Sequence, residues 1–127
     1  MRNDIQLELF CITDKRLEFL ENYNYKLAWV GSEKPPSNYL TCDKDKNIFF
    51  KEQYYSELTF QYWYWKNLLS HKNKNWIGFC QKRRFWSKNN YNLEIDLNNI
   101  NKNILDKPKE EWNNYESIIC EPIDLDP

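Results

Sequence analysis

The chain opens on an alternating stretch, Ile5-Gln6-Leu7-Glu8-Leu9, which becomes continuously apolar through Phe10, Cys11 and Ile12. Alternation marks a strand with one covered face and a continuous run marks one covered on both, so residues 5–13 predict a strand running into a covered sheet. Thr13 and Asp14 are helix-capping residue types. Leu17, Phe19 and Leu20 follow them, which predicts a helix ending near Asn24. The short apolar run 27–30 stops at Gly31 and reads as a second strand. Residues 32–46 hold Pro35-Pro36, Ser37-Asn38 and a cluster of charges. They read as a long loop, and loops of that length in compact domains are often functional.

Between residues 54 and 69 the period becomes helical. Leu58, Tyr62, Trp65 and Leu69 form one stripe, and Phe60, Trp63 and Asn67 form another. Rings on two faces predict a largely buried helix, with Leu58, Tyr62 and Trp65 in the core. Truncating Trp65 to alanine should then cost about 3–5 kcal/mol. Trp76-Ile77-Gly78-Phe79-Cys80 is short and continuously apolar, as a central parallel strand is, so Ile77 and Phe79 should also be buried. The run ends abruptly at Gln81-Lys82-Arg83-Arg84. A weaker helix over residues 93–105 and a strand over 115–120 complete the pattern. Strands and helices alternate, which predicts an α/β fold: an open, mostly parallel sheet with helices on both faces and right-handed crossovers. No internal repeat is visible, and 127 residues fit a single domain spanning 1–127.

Composition adds one constraint to this picture. Aromatic residues make up 17% of the chain, while Ala28 is the only alanine and Val30 the only valine. The core must therefore be built largely from rings, which bury large areas and favour edge-to-face contacts. The net charge of −1 gives no field that would steer the protein to nucleic acid, and no basic stripe is present. No apolar run approaches a membrane span, and Met1-Arg2-Asn3-Asp4 leads into a strand-like segment, unlike a signal peptide. Cys11, Cys42, Cys80 and Cys120 lie far apart with no C-x-x-C pair, which favours buried free thiols over a zinc site or a disulfide framework. Together these features predict a cytoplasmic protein.

Ligands of open parallel sheets bind beyond the carboxyl ends of the strands. Two such ends are chemically loaded. The first strand delivers Thr13-Asp14-Lys15-Arg16 to the start of a helix, whose free N–H groups favour an anion. The run 76–80 delivers Gln81-Lys82-Arg83-Arg84-Phe85-Trp86. An arginine fork matches phosphate oxygens, and Phe85 or Trp86 offers a ring for stacking. The same basic run also has the composition of a solvated turn paired with acidic neighbours. Asp14, Asp43 and Glu57 are the carboxylates nearest these edges, and Glu57 lies in a helix otherwise rich in rings. Asp43-Lys44-Asp45 and Asp124-Leu125-Asp126 have a metal-binding spacing that is common by chance. His71 falls at a helix end, where interaction with the helix dipole is its default role. No phosphate-binding glycine loop, H-E-x-x-H motif or nucleophile elbow is present.

Three blocks carry a resemblance: Tyr54-Tyr55-Ser56-Glu57-Leu58-Thr59, Tyr62-Trp63-Tyr64-Trp65-Lys66-Asn67, and residues 76–86 with their Arg83-Arg84 pair. In order and spacing they resemble a bacterial domain family of glycosyltransferases from capsule and exopolysaccharide gene clusters. That family reads Tyr-Cys-Glu-Leu-Thr, then Tyr-Trp-x-Trp-Lys-Asn, then Ile-Gly followed by a double arginine. The likeness covers roughly residues 9 to 120. Gln81 and Asp14 stand where the family has histidines, and the family's members run on past the point where this chain stops. The resemblance implies a short or truncated relative, with a sheet similar to the nucleotide-sugar-binding half of a GT-A-like glycosyltransferase.

It further implies transfer of a sugar from a nucleotide-diphosphate donor to a surface polysaccharide or glycolipid acceptor. Arg83 and Arg84 would bind the diphosphate, Arg84 facing it and Arg83 anchored on Glu57. Gln81 would stand beside them, and Lys15 and Asp14 would contact the nucleotide. Phe85 and Trp86 would stack, and Glu57 would position the arginines or the donor sugar. A divalent metal, Mn or Mg, is compatible with such chemistry, with Asp43 and Asp45 as weak ligand candidates. A lipid-linked acceptor is compatible with peripheral membrane association without a transmembrane segment. The rival from another class is a catalytically degenerate module that binds a glycan or partner through exposed rings, with Trp63, Trp86 and Trp112 partly exposed and no convergent polar pocket.

Overall fold

The computed structural model describes residues 5–23, 25–70, 72, 74–88 and 96–120. Strand β1 (Leu7–Thr13) forms because an apolar, β-branched and aromatic run can be covered on both faces, and it sits at the centre of the sheet. Strand β2 (Tyr25–Trp29) pairs with it on one side and β3 (Trp76–Gln81) on the other, both parallel, in the order β2-β1-β3. Leu9 lies opposite Tyr25 and Gly78, and Ile12 lies opposite Ala28 and Gln81. The open parallel sheet and the α/β class are as the alternating pattern requires. Leu40 adds a one-residue bridge to the outer edge of β2, exchanging backbone hydrogen bonds with Leu27 and Trp29.

Successive side chains of β1 point to opposite faces, so the core divides in two. On one face Phe10 and Ile12 meet Ala28, Val30 and Cys42, closed over by Phe60 and Tyr64 of helix α2 (Glu57–Asn67). Phe10 lies 4.9 Å from the Tyr64 ring and 5.5 Å from Phe60, centroid to centroid, so this half of the core is a cluster of rings. On the other face Leu9 and Cys11 pack with Leu20, Leu27 and Trp29. Ile100 of the short helix α3 (Ile100–Asn103), Ile104 and Trp112 cover them. Helical segments thus lie on both faces.

Several elements depart from the sequence pattern. The first helix shrinks to a 3-10 turn, Glu18–Leu20. The Thr13 hydroxyl accepts from the Lys15 N–H (3.0 Å) and donates to the Lys15 carbonyl (2.7 Å), a local turn that uses up the cap. Strand β2 begins earlier than expected, at Tyr25. The helix expected over 54–69 is two: α1 (Glu52–Tyr55) and α2, separated by Ser56 at φ 48.

The phase of α2 also differs. Phe60 and Tyr64 are buried, while Trp65 is 57% and Leu58 51% exposed, and Tyr62 is half-buried. The buried face is neither expected stripe: it takes Phe60 from one and adds Tyr64, which belongs to neither. Ile77 and Phe79 are half-buried, not buried, because β3 is an edge strand among the described residues. The segment 115–120 joins no described strand. Glu116, Ser117 and Ile118 line a cavity of about 290 Å³ together with Leu7, Leu9, Ile77 and Gly78, and Ile118 packs on the core. Of the helix expected over 93–105, only α3 forms among the described residues. All four cysteines are free, but Cys120 is exposed, whereas Cys42, in a polar stretch, is buried. His71 and the Asp124–Asp126 triplet lie outside the described residues.

Candidate functional site

The strand order reverses at β1, since the chain passes first to β2 and then back across to β3. Crevices at the carboxyl ends of strands flanking such a reversal are where open α/β sheets bind ligands. A cavity of about 420 Å³ opens there, between the ends of β1 and β3 and the flank of α2. Its floor is Ile12 and Cys80, and Phe79, Phe85 and Trp86 form apolar wall. Its polar groups are Gln81 and Arg84 from the turn after β3, and Glu57 and Gln61 from α2. Glu57 and Gln61 are four residues apart on one helix flank and so face the cavity together.

The turn after β3 decides which arginine reaches this cavity. The Arg84 N–H donates to the Gln81 carbonyl (3.1 Å), closing a four-residue turn that folds Arg84 back beside Gln81. Lys82 and Arg83 occupy the turn's centre. Arg83 is exposed and forms no part of the cavity lining, and no contact with Glu57 is found among the described residues. The expected pairing of Arg83 with Glu57 is therefore replaced by Glu57 and Arg84 facing one cavity. Phe85 and Trp86 are held in place. Phe85 meets Phe19 and Tyr25 edge-on at 6.0 and 6.1 Å, and the Trp86 indole N–H donates to the Phe79 carbonyl (3.0 Å).

Asp14 and Lys15 are at the end of β1 but do not line the cavity. Asp14 is paired with Lys82 across the two strand exits. The Lys82 ammonium, hydrogen-bonded to the carboxylate, holds Asp14 below the usual aspartate range. Just past β2, a Cβ on Gly31 would lie 3.2 Å from the Asp14 Cβ, a tight approach that leaves little room for a side chain. Arg16 is committed elsewhere: its guanidinium donates to both carboxylate oxygens of Glu21 (2.9 and 3.3 Å). Glu21 also accepts from the Tyr39 hydroxyl (2.9 Å), and that hydroxyl accepts from the Leu17 N–H (2.9 Å). This buttress fixes the segment after β1. It leaves Lys15 exposed.

Asp43 and Asp45 lie on an exposed loop away from this cavity. The Asn47 side-chain amide donates to the Asp45 carbonyl (2.9 Å), and α2 holds the loop from below. The Trp63 indole donates to the Lys44 carbonyl and the Asn67 amide to the Lys46 carbonyl, each at 2.9 Å. Trp63 and Asn67 thus anchor a loop, a role their spacing alone did not reveal. Among the described residues no group of three His, Cys, Asp or Glu side chains could hold a metal ion.

Sequence reasoning missed Gln61, Cys80 and Cys120 as cavity lining. Gln61 could have been found from its i,i+4 relation to Glu57. Cys80 lies opposite Cys11 in the strand register. Its hydrogen bond with the Cys11 thiol, followed by burial, pushes the Cys80 thiol above the ordinary cysteine range, which favours the protonated form. Trp63 and Trp86 are half-buried and Trp112 is buried against Trp76, 5.3 Å between centroids.

No curated protein and no solved structure matches the chain. A family model does match, over residues 8–123, which takes in β1 from its second residue, β2, β3, α2 and the turn bearing Arg84. The chain belongs to that family, a domain of unknown function (DUF4422).

Proposed function

We propose that this domain binds a nucleotide-diphosphate sugar at the cavity between the ends of β1 and β3, and that it is a glycosyltransferase acting on a surface polysaccharide or glycolipid acceptor. The observation that carries the reading is the convergence of Arg84 and Gln81 with Glu57 and Gln61 over an apolar, aromatic wall at the sheet's reversal point. A cavity of about 420 Å³ suits one end of such a donor, with the remainder lying across its mouth. The rings of Phe79, Phe85 and Trp86 suit the flat, apolar face of a nucleoside base. The Arg84 guanidinium suits the diphosphate, whose departing charge must be stabilised as the glycosyl bond breaks. Glu57 and Gln61 suit the hydroxyls of the donor sugar. In this reading Arg83 and Lys15 are rim cations, and Asp14 and Lys82 hold the two strand exits together.

A divalent cation would need several oxygen ligands. Glu57 is the one carboxylate among the described residues lining the cavity, and Asp43 and Asp45 stand on another loop. The described side chains therefore do not form a metal site, and the charge stabilisation is assigned here to Arg84.

Calorimetric titration with UDP-, GDP- and dTDP-sugars, with and without Mn²⁺, tests the reading. A charge-assisted arginine–phosphate contact contributes about 1.5–3 kcal/mol, so Arg84→Ala should weaken binding roughly ten- to a hundredfold. Arg84→Lys should recover only part, because the fork geometry is lost. Arg83→Ala should change little. If the folded chain binds none of these sugars in the millimolar range, the reading fails and a non-catalytic binding module takes its place.

A further inference from the structure

The donor cavity leaves one side of α2 unused. Phe60 and Tyr64 face the core, and Glu57 and Gln61 face the cavity, so Leu58, Tyr62 and Trp65 occupy the outer side, with exposed Leu69 just past the helix end. Seven of the ten large hydrophobic side chains exposed among the described residues fall between positions 50 and 69, including Phe50, Tyr54, Leu58, Trp65 and Leu69. Single exposed apolar residues are ordinary, whereas such a concentration marks an interaction surface.

The cations of this stretch sit on its rings. The Lys66 ammonium lies 3.8 Å from the Trp65 ring centroid and 5.8 Å from that of Tyr62, and the Lys51 ammonium lies 5.6 Å from Phe50. Lys72 and Lys74 follow the end of the helix. Residues 50–75 hold four lysines and two glutamates, so this stretch is net positive within a chain of net charge −1. One of the two acids, Glu57, is turned to the cavity.

We propose that the outer face of α2 seats on an anionic lipid surface. Tryptophan and tyrosine rings and leucines suit the boundary between headgroups and acyl chains, where an apolar body and a polar tip are both accommodated. The ammonium groups of Lys66 and Lys51, held over these rings, are placed beside the apolar contact, where they can meet lipid phosphates. A second copy of the chain is the poorer occupant, because lysine is depleted from protein interfaces and two copies would set these ammonium groups against each other. The inference does not rest on the donor reading. If both hold, α2 carries the cavity on one flank and lipid contact on another, which brings the site to the membrane surface.

Co-sedimentation of the 127-residue chain with vesicles tests it, with no nucleotide sugar present, so its outcome is separate from that of the donor titration. Binding is expected to vesicles of phosphatidylcholine with phosphatidylglycerol, falling with added salt, and to be weak on phosphatidylcholine alone. Trp65→Ser and Lys66→Glu should each reduce that binding by about tenfold, since each removes an apolar or a charged contact. Both residues are exposed, so the circular dichroism and melting of the variants should match the parent. Should Trp65→Ser lose its fold, Lys66→Glu carries the test. The proposal is overturned if the folded chain ignores both vesicles or binds them equally. It is also overturned if the chain self-associates without lipid and Trp65→Ser abolishes that association.

Discussion

Two residues show how local chemistry and burial set up measurable effects. The Asp14 carboxylate is held by Lys82, and its pKa is lowered chiefly by that hydrogen bond. A carboxyl whose folded pKa lies below its unfolded value adds stability above the unfolded pKa, about 4, and loses it as pH falls through the folded value. The Asp14 side chain is half exposed, so solvent screens the pair and its contribution should stay below about 1 kcal/mol. Asp14→Asn should therefore lower the melting temperature slightly at pH 7 and not at pH 2, and equal effects at both would remove the ion pair from the explanation. Thr59 is the opposite case. Its hydroxyl is fully buried, without a hydrogen-bond partner among the described residues. Thr59→Val keeps the shape and removes the unpaired group, so it should raise stability by about 1 kcal/mol in chemical denaturation. A loss of stability would mean that the hydroxyl has a partner, such as a bound water.

At the scale of elements, the break between α1 and α2 is the main event. Ser56 adopts φ 48 and ψ −118, a conformation that disfavours a residue with a Cβ. Its N–H donates to the Glu52 carbonyl (2.7 Å) while its own carbonyl accepts from Thr59 (3.0 Å), so one helix ends and the next begins on the same residue. The strain sets the direction of α2 and puts Glu57 at its first position, on the cavity. Ser56→Gly should relieve about 1 kcal/mol of it and raise the melting temperature, with Ser56→Ala giving no such gain. If glycine destabilises instead, hydrogen bonding by the Ser56 side chain outweighs the backbone strain. The helical period of residues 54–69 was legible, and the break was not, since no glycine or proline marks it. Nor could periodicity choose between two stripes that are both rich in rings. The face that is buried matches neither stripe fully: its Phe60 and Tyr64 meet Phe10 and Phe79.

For the whole molecule, the three-stranded parallel sheet gives the cavity its place. Reversal of strand order at β1 opens a crevice at the strand ends, and the chain fills its rim with the turn from Gln81 to Arg84. The two covered faces account for the continuous apolar run of β1, and the exposed side of α2 accounts for the apolar surplus that the core does not absorb.

The sequence by itself determined the strands β1 and β3, their parallel class, a ring-built core and the position of a basic turn at a strand end. These follow from local patterns: continuous apolar runs, aromatic content, and charges directly after a strand. Only the tertiary structure decided which arginine shares the cavity with Glu57, because that depends on the hydrogen bond closing the Gln81–Arg84 turn. It likewise decided that Lys82 pairs with Asp14, 68 positions away, and that Trp63 and Asn67 anchor the loop of Asp43 and Asp45. The failure of residues 115–120 to form a strand belongs to the same class, since a strand exists only through its neighbour and no described strand pairs with this segment. Local preference is written in the order of residues, whereas burial phase, pairing and convergence are fixed by what the rest of the chain brings alongside.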